Sequence, residues 1–287
     1  MHDSIPGQAA GLADAQHGPV RVIAIASGKG GVGKTNVAVN LALALQLADK
    51  QTMLLDADLG MGNVDVLLGL QPHFNLMHVV GGHCSLDEAL LEGPMGLAIV
   101  PAASGKQRMA DLAHAEHVGL VNAFSSLTRP LDCLVIDTAA GISDSVVTFS
   151  RAAQEVVIVA CNEPASLTDA YALIKVLSRE HGVARVHVVA NMVKSAPEGF
   201  DVYENLKRVA ARFLDVHIDY LGHVPYDDFL RRAVQRQRAV AEAYPGSPSA
   251  AAFRELAARA LKWPLPKGAR GDTEFFVERM VAGGATA

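Results

Sequence analysis

The stretch Gly28-Lys29-Gly30-Gly31-Val32-Gly33-Lys34-Thr35 leaves few folds open to this chain. It satisfies the phosphate-loop pattern: a glycine, four residues, then Gly-Lys-Thr. It follows an apolar run, RVIAIAS at 21–27, and precedes a segment with Val37, Leu41, Leu45 and Ala48 at helical spacing. A strand that turns through glycines into a helix gathers backbone N–H groups and a positive helix end at one spot, with no Cβ in the way. A strand followed by a helix of this length is the first half of a βαβ unit, which builds a parallel sheet.

The rest of the chain repeats that alternation. TMLLDAD (52–58), LAIVPAA (97–103), LDCLVID (131–137), EVVIVAC (155–161), RVHVVAN (185–191) and VHIDYLGHV (216–224) read as further strands. Most are apolar throughout, as strands covered on both faces are. Helical patterns run near 107–127, 143–153, 166–180, 200–214, 226–241 and 248–262, and SLDEALLE opens with Ser85 and Glu88 at capping-box spacing. The expected fold is α/β: a single doubly wound, mostly parallel sheet with helices on both faces, and no internal repeat. The expected layout is a leader over 1–19, one domain over 20–262, and a linker with a short amphipathic tail over 263–287. WPLPKGARGDT reads as the linker. In EFFVERMV (274–281), Phe276 and Met280, and Val277 and Val281, form a short apolar stripe suited to the domain, a partner or a membrane surface.

With half its residues apolar, the chain easily supplies a large core, and a net charge of −5 argues against direct DNA binding by the whole surface. Cys84, Cys133 and Cys161 form no close pair, and the last two sit inside apolar runs. They read as buried hydrophobes in a reducing compartment, which also disfavours an iron–sulfur carrier. No run approaches the roughly 18 apolar residues of a membrane span, and no export signal opens the chain. The expectation is a cytoplasmic protein. His73, His78 and His83 recur at five-residue steps, which suit loop histidines better than a zinc site. Arg231, Arg232, Arg236 and Arg238 read first as a solvated helix face, then as a site for an acidic partner or DNA backbone.

The candidate nucleotide-binding set begins with Gly28, Lys29, Gly30, Gly31, Val32, Gly33, Lys34, Thr35 and Asn36. Lys34 suits the β/γ-phosphates and the Thr35 hydroxyl suits Mg²⁺. A parallel sheet binds ligands at the carboxyl ends of its strands. Asp137 ends LDCLVID, where a carboxylate holds Mg²⁺, and Asp56 and Asp58 end TMLLDAD. Asn191 ends RVHVVAN, and its amide suits a base edge. Lys29 stands too early in the loop to follow Lys34's route. It is either a solvated charge or a group reaching the γ-phosphate held by a second copy, as an arginine finger does.

Lys-Gly-Gly-Val-Gly-Lys-Thr, Lys29 to Thr35, resembles the deviant Walker A loop of the MinD/ParA ATPases, and the likeness runs from about residue 20 to 262. It implies an ATP-sandwiched homodimer in which Lys29 acts across the interface. It also implies that Asp58 is the switch I aspartate positioning the attacking water, that DTAAGISD from Asp137 is switch II, and that Asn191 contacts adenine. VPYDD (224–228) lies where that family closes over the base, making Pro225 and Asp227 weaker candidates. Catalytic roles then fall to Lys29, Lys34 and Asp58, metal binding to Thr35 and Asp137, with ATP and Mg²⁺ as the cofactors.

DADLGMGNVDVLLGL, VIDTAAGISDSVV, EPASLTDAYALIK, ANMVKSAPEG, AVQRQRAVAEAYP and EFFVERMV more narrowly resemble the flagellar number regulators of the FleN/FlhG group. This implies slow ATP hydrolysis and antagonism of an enhancer-dependent flagellar activator of the FleQ type. It also implies dealings with an FlhF-type GTPase and a polar or transient membrane location, with weak contact through the tail. The group's GTPase-stimulating leader motif ends in Arg, whereas here QAAGLA (Gln8 to Ala13) lacks it. Two other readings stay open: a division-site or chromosome-partition ATPase of the same family, and an ATP-dependent small-molecule ligase or kinase on the same scaffold.

Overall fold

The computed structural model describes residues 18–60, 62–102, 119–121, 123–124, 127, 129–265 and 274–276. All seven apolar runs form strands: β1 (Arg21–Ser27), β2 (Thr52–Ala57), β4 (Ala98–Val100), β5 (Cys133–Ala140), β6 (Glu155–Ala160), β7 (Arg185–Val193) and β8 (His217–Pro225). An eighth, β3 (Leu91–Glu92), is a two-residue edge strand too short to show a sequence pattern. The sheet order is β3-β4-β2-β5-β1-β6-β7-β8. Every neighbouring pair is parallel except β3 with β4. β1 lies between β5 and β6, and the chain builds outward from it first to one side and then to the other, so the binding crevice opens at the end of β1.

The principal helices are α1 (Lys34–Gln46), α2 (Val64–Leu68), α3 (Asp144–Ala152), α4 (Pro164–Arg179), α5 (Ala196–Phe213), α6 (Asp228–Gln235) and α7 (Pro248–Ala260). Side chains alternate across the sheet. Ile23 and Ile25 of β1 pack with residues of α1 and α7, while Val22, Ala24 and Ala26 face the side covered by α3, α4 and α5. Burial on both faces explains why these strands are apolar throughout. Asn40 of α1 is fully buried, and its Oδ1 accepts from the backbone N–H of Val240 at 3.0 Å. It thereby fixes the single-turn helix Val240–Ala243 against α1.

Several boundaries differ from expectation for local reasons. α5 begins at Ala196 rather than 200, because Ser195 accepts from the Glu198 N–H and Pro197 fits the first turn. The helix expected over 226–241 is broken, since α6 ends at Gln235 and Gln237 is left-handed at φ 53°. The Ser85–Glu88 capping box is present, but its helix stops at Ala89 as the chain enters β3. α2 and the helix Leu76–Val80 are too short for their period to be read.

The helix expected over 107–127 falls mostly outside the described residues, as do the leader and the tail residues Val277, Met280 and Val281. Phe275 and Phe276 are fully buried, with ring centroids 5.1 and 6.1 Å from that of Phe124. Glu274–Phe276 therefore packs on the body. So does Trp263, which stacks on His187 at 4.1 Å and accepts from Arg21 through its carbonyl. The packed body thus includes residues beyond 262. Among the described residues no three or more His, Cys, Asp and Glu side chains cluster as a metal site, and no helix is long and apolar enough to cross a membrane. Each residue of the arginine cluster has a local contact: Arg231 with Tyr226 and Asp228, Arg232 over Phe229, Arg236 over Tyr244, and Arg238 with Glu242.

Candidate nucleotide site

The loop between β1 and α1 folds as its glycines dictate. Gly31 and Gly33 both have φ +82°, a conformation that side chains resist, and Gly33 caps α1. A Cβ on Gly28 would lie 2.0 Å from the Asp169 carbonyl oxygen, so the loop leaves β1 pressed against α4. A Cβ on Gly33 would lie 2.4 Å from Asn191 Nδ2. The loop lines a cleft of ≈ 590 Å³, together with Thr35, Asn36, Asp58, Asn63, Met192 and Gln237.

Lys34 Nζ donates to Asp137 Oδ1 at 2.6 Å, and both side chains are buried. The second oxygen, Asp137 Oδ2, is buried with no hydrogen-bond partner. Burial pushes the Asp137 carboxyl up, while Lys34 and Thr35 pull against that shift. An unsatisfied buried carboxylate oxygen next to the Thr35 hydroxyl is a donor set that suits a hard, oxygen-seeking cation, so the residues fit the Mg²⁺ expected of them.

Asp56 has a role its position in TMLLDAD did not disclose. It is opposite Asp137 in the β2–β5 register and almost wholly buried. Its carboxylate accepts from the backbone N–H groups of Asp58 at 3.1 Å, Asn63 at 3.0 Å and Val64 at 3.1 Å. Asp56 thus anchors the turn that carries Asp58 into the cleft. Burial, and next the neighbouring Asp137, push its pKa from 3.8 to about 7. Between those values the folded protein binds more protons than the unfolded chain, so this group makes stability fall as pH rises from 3.8 to about 7. The slope approaches about 1.4 kcal/mol per pH unit per proton. In urea, the ligand-free protein should accordingly unfold at lower denaturant at about pH 8 than at about pH 5.5. An unchanged or higher midpoint at the alkaline pH would remove this account of Asp56.

The remaining candidates separate. Lys29 is half-exposed at the cleft and pairs with Glu163 at 3.3 Å. Asn191 is buried behind the loop, where Nδ2 donates to the Val32 carbonyl at 2.7 Å and Oδ1 has no hydrogen-bond partner. Gly28, Val32, Asp137, Asn191, Pro225 and Asp227 do not themselves line the cleft, and Asp137 is joined to it through Lys34. The Asp227 carboxylate is already occupied: it caps α6 through the Phe229 N–H at 2.8 Å and accepts from Ser249 N at 3.0 Å and Ser249 Oγ at 2.6 Å. Burial raises its pKa, but these hydrogen bonds outweigh that and leave it lowered. An Asp directly before a helix is an N-cap signal, which would have disclosed this role from sequence. Sequence reasoning missed Met192, Val66, Leu67, Val234 and Gln237, which line the cleft. The left-handed backbone of Met192, at φ 57°, has no sequence signature.

A family model described as the CobQ/CobB/MinD/ParA nucleotide binding domain matches residues 23–240. The chain is 57% identical over 268 residues to the antiactivator FleN of Pseudomonas aeruginosa, covering 93% of this chain and 96% of that one. It is 35% identical over 229 residues to the flagellum site-determining protein YlxH of Helicobacter pylori, covering 79% and 77% respectively. The solved septum site-determining protein MinD of Pyrococcus horikoshii, complexed with Mg-ADP, superposes with a TM-score of 0.71 at 24% identity. That match covers 85% of this chain and 96% of the MinD chain, and it is a likeness of fold.

Proposed function

The chain belongs to the CobQ/CobB/MinD/ParA nucleotide-binding family, and from that premise we propose an ATP-dependent dimerising switch that restrains flagellar biosynthesis by antagonising a flagellar transcriptional activator of the FleQ type. The flagellar part rests on the similarity to FleN, which spans nearly the whole of both chains. The switch part rests on the two lysines of the loop. Lys34 is buried on Asp137, whereas Lys29 stands half-exposed at the cleft, where a second molecule can meet it. Val66 and Met192, which line the cleft, and Ile142, which follows β5, are exposed apolar side chains that favour a second copy closing over the site.

In this reading the loop N–H groups and Lys34 bind the β/γ-phosphates, and the partner's Lys29 approaches the γ-phosphate from across the interface. Thr35 and Asp137 would hold Mg²⁺, which when bound would supply charge neutralisation to the phosphates. Asp58, held through its backbone by Asp56, orients the attacking water. Turnover is slow, so that the ATP-bound dimer lasts long enough to engage its partner. Among the described residues that line the cleft, a ligase or kinase would find no acid–base group besides Lys29, Lys34 and Asp58. Phe275 and Phe276 are buried in the core and so do not offer their side chains to a membrane, and the switch does not need such a contact.

The test mixes the purified protein with an enhancer-dependent flagellar activator and Mg-ATP, then Mg-ADP, before gel filtration and in vitro transcription. Co-elution and repression that depend on ATP are expected. Binding indifferent to the nucleotide, or retention of bulk DNA in place of the activator, would move the protein to another branch of its family.

A further inference from the structure

Gln237 sits where glycine belongs. α6 ends at Gln235, and Gln237 follows in the left-handed region at φ 53°. Its N–H donates to the Val234 carbonyl at 2.9 Å, and the Arg238 N–H donates to that of Ala233 at 3.0 Å. This is how helices commonly terminate, with Gly the usual residue and Asn the usual substitute. A long side chain there costs about 1–2 kcal/mol. Strain of this kind persists at a cleft-lining residue only where its surroundings hold it in place.

The side chain does something glycine cannot. Gln237 Nε2 donates to the Val66 carbonyl at 2.9 Å. Val66 belongs to α2, a five-residue helix, and within it the Val66 carbonyl accepts only a long 3.4 Å bond from the Gly69 N–H. Gly69, left-handed at φ +64°, closes α2 and approaches Gln237 closely, since a Cβ there would lie 3.3 Å from Gln237 Cβ. The ends of α2 and α6 therefore face each other, and the Gln237 amide caps α2 from the turn that closes α6. At the other end of α2, Asp56 accepts from the Asn63 and Val64 N–H groups and also from that of Asp58. Asp58, Asn63, Val66, Leu67 and Gln237 all line the cleft.

We propose that Gln237 is a positioning residue: it clamps α2 from α6 and so, with Asp56, sets where Asp58 stands in the cleft. Gln237 is bonded to the backbone of α2 and not to Asp58. It acts through the backbone of α2. The consequence for turnover rests on the nucleotide reading above, whereas the clamp itself does not.

The test compares Gln237→Gly and Gln237→Lys in the full chain. Gly relieves the left-handed strain and removes the donor, whereas Lys keeps both the strain and a donor of similar reach. Hydrogen–deuterium exchange of the Asn63–Leu68 amides should rise about fivefold in Gln237→Gly, as expected from losing one hydrogen bond's net stabilisation. It should stay near wild type in Gln237→Lys. Thermal stability of Gln237→Gly should be unchanged or higher. With Mg-ATP, kcat should fall about tenfold or more in Gln237→Gly while ATP affinity is kept, because a small misplacement of an orienting group is costly. Wild-type exchange and kcat in Gln237→Gly, or a fall in kcat only in step with lost ATP affinity, would overturn the proposal. If the wild-type protein shows no turnover, the ATPase reading fails, and the exchange data still decide the clamp.

Discussion

Lys34→Ala should lose nucleotide binding almost entirely, with ATP affinity down about 10²–10³-fold, the range for truncating a buried charged hydrogen-bond partner. The damage begins before any ligand arrives. Lys34 Nζ lies 2.6 Å from Asp137 Oδ1, with both side chains out of water. Removing the ammonium leaves a buried carboxylate facing Asp56 with no counter-charge, and breaking such a pair costs about 3–5 kcal/mol. Protonation of Asp137, whose pKa is already raised, limits that loss. Lys29→Ala should behave differently. Its partner Glu163 is exposed, so the fold should hold and monomeric nucleotide binding should persist, while ATP-driven dimerisation and turnover fall. Equilibrium binding of a fluorescent ATP analogue, beside urea unfolding of both variants, separates them. Equal loss of binding in the two proteins would sink the across-dimer role of Lys29.

The second large effect concerns Asp58. Asp58→Ala should reduce hydrolysis about 10²–10⁴-fold, the usual contribution of a group that manages the attacking water's proton. Affinity for ATP should survive, because Lys34, Thr35 and the loop N–H groups are untouched. The variant should then accumulate as an ATP-bound dimer, visible by light scattering with Mg-ATP against an ADP control. The fold should tolerate the change, since the turn is held by Asp56 through backbone N–H groups, whatever side chain stands at 58. An Asp58→Ala protein that remains monomeric in saturating ATP would show that Asp58 is not the hydrolytic group. Because Asp58→Ala removes the carboxylate and Gln237→Gly leaves it in place, comparing their kcat values tells a missing group from a displaced one.

Much of the site was legible because its constraints are local. Gly31, Gly33 and Lys34 declare themselves by spacing, since a left-handed backbone and a helix start are properties of neighbours in the chain. Asp137 declares itself as the polar end of an apolar strand. The surroundings of the base-contact candidates depend on more than local spacing. Pro225 and Asp227 were placed by resemblance, and the structure sets Asp227 to capping α6 and tying it to α7. Asn191 stands behind the loop, bonded to Val32. Along the tail Phe276 and Met280 stand at helical spacing, yet Phe275, outside that stripe, is as deeply buried as Phe276. A period shows which residues share a face, and only packing shows what covers it.

By itself the sequence determined the phosphate loop, the parallel α/β sheet and the family, because each depends on spacing along the chain or on strands apolar enough to be covered on both faces. Only the tertiary structure decided that Asp56 opposes Asp137 and binds three backbone N–H groups of the turn beyond it. It alone brought Gln237 onto the Val66 carbonyl, 171 residues away in sequence. Contacts of that range follow from strand order and helix docking, which no local pattern encodes.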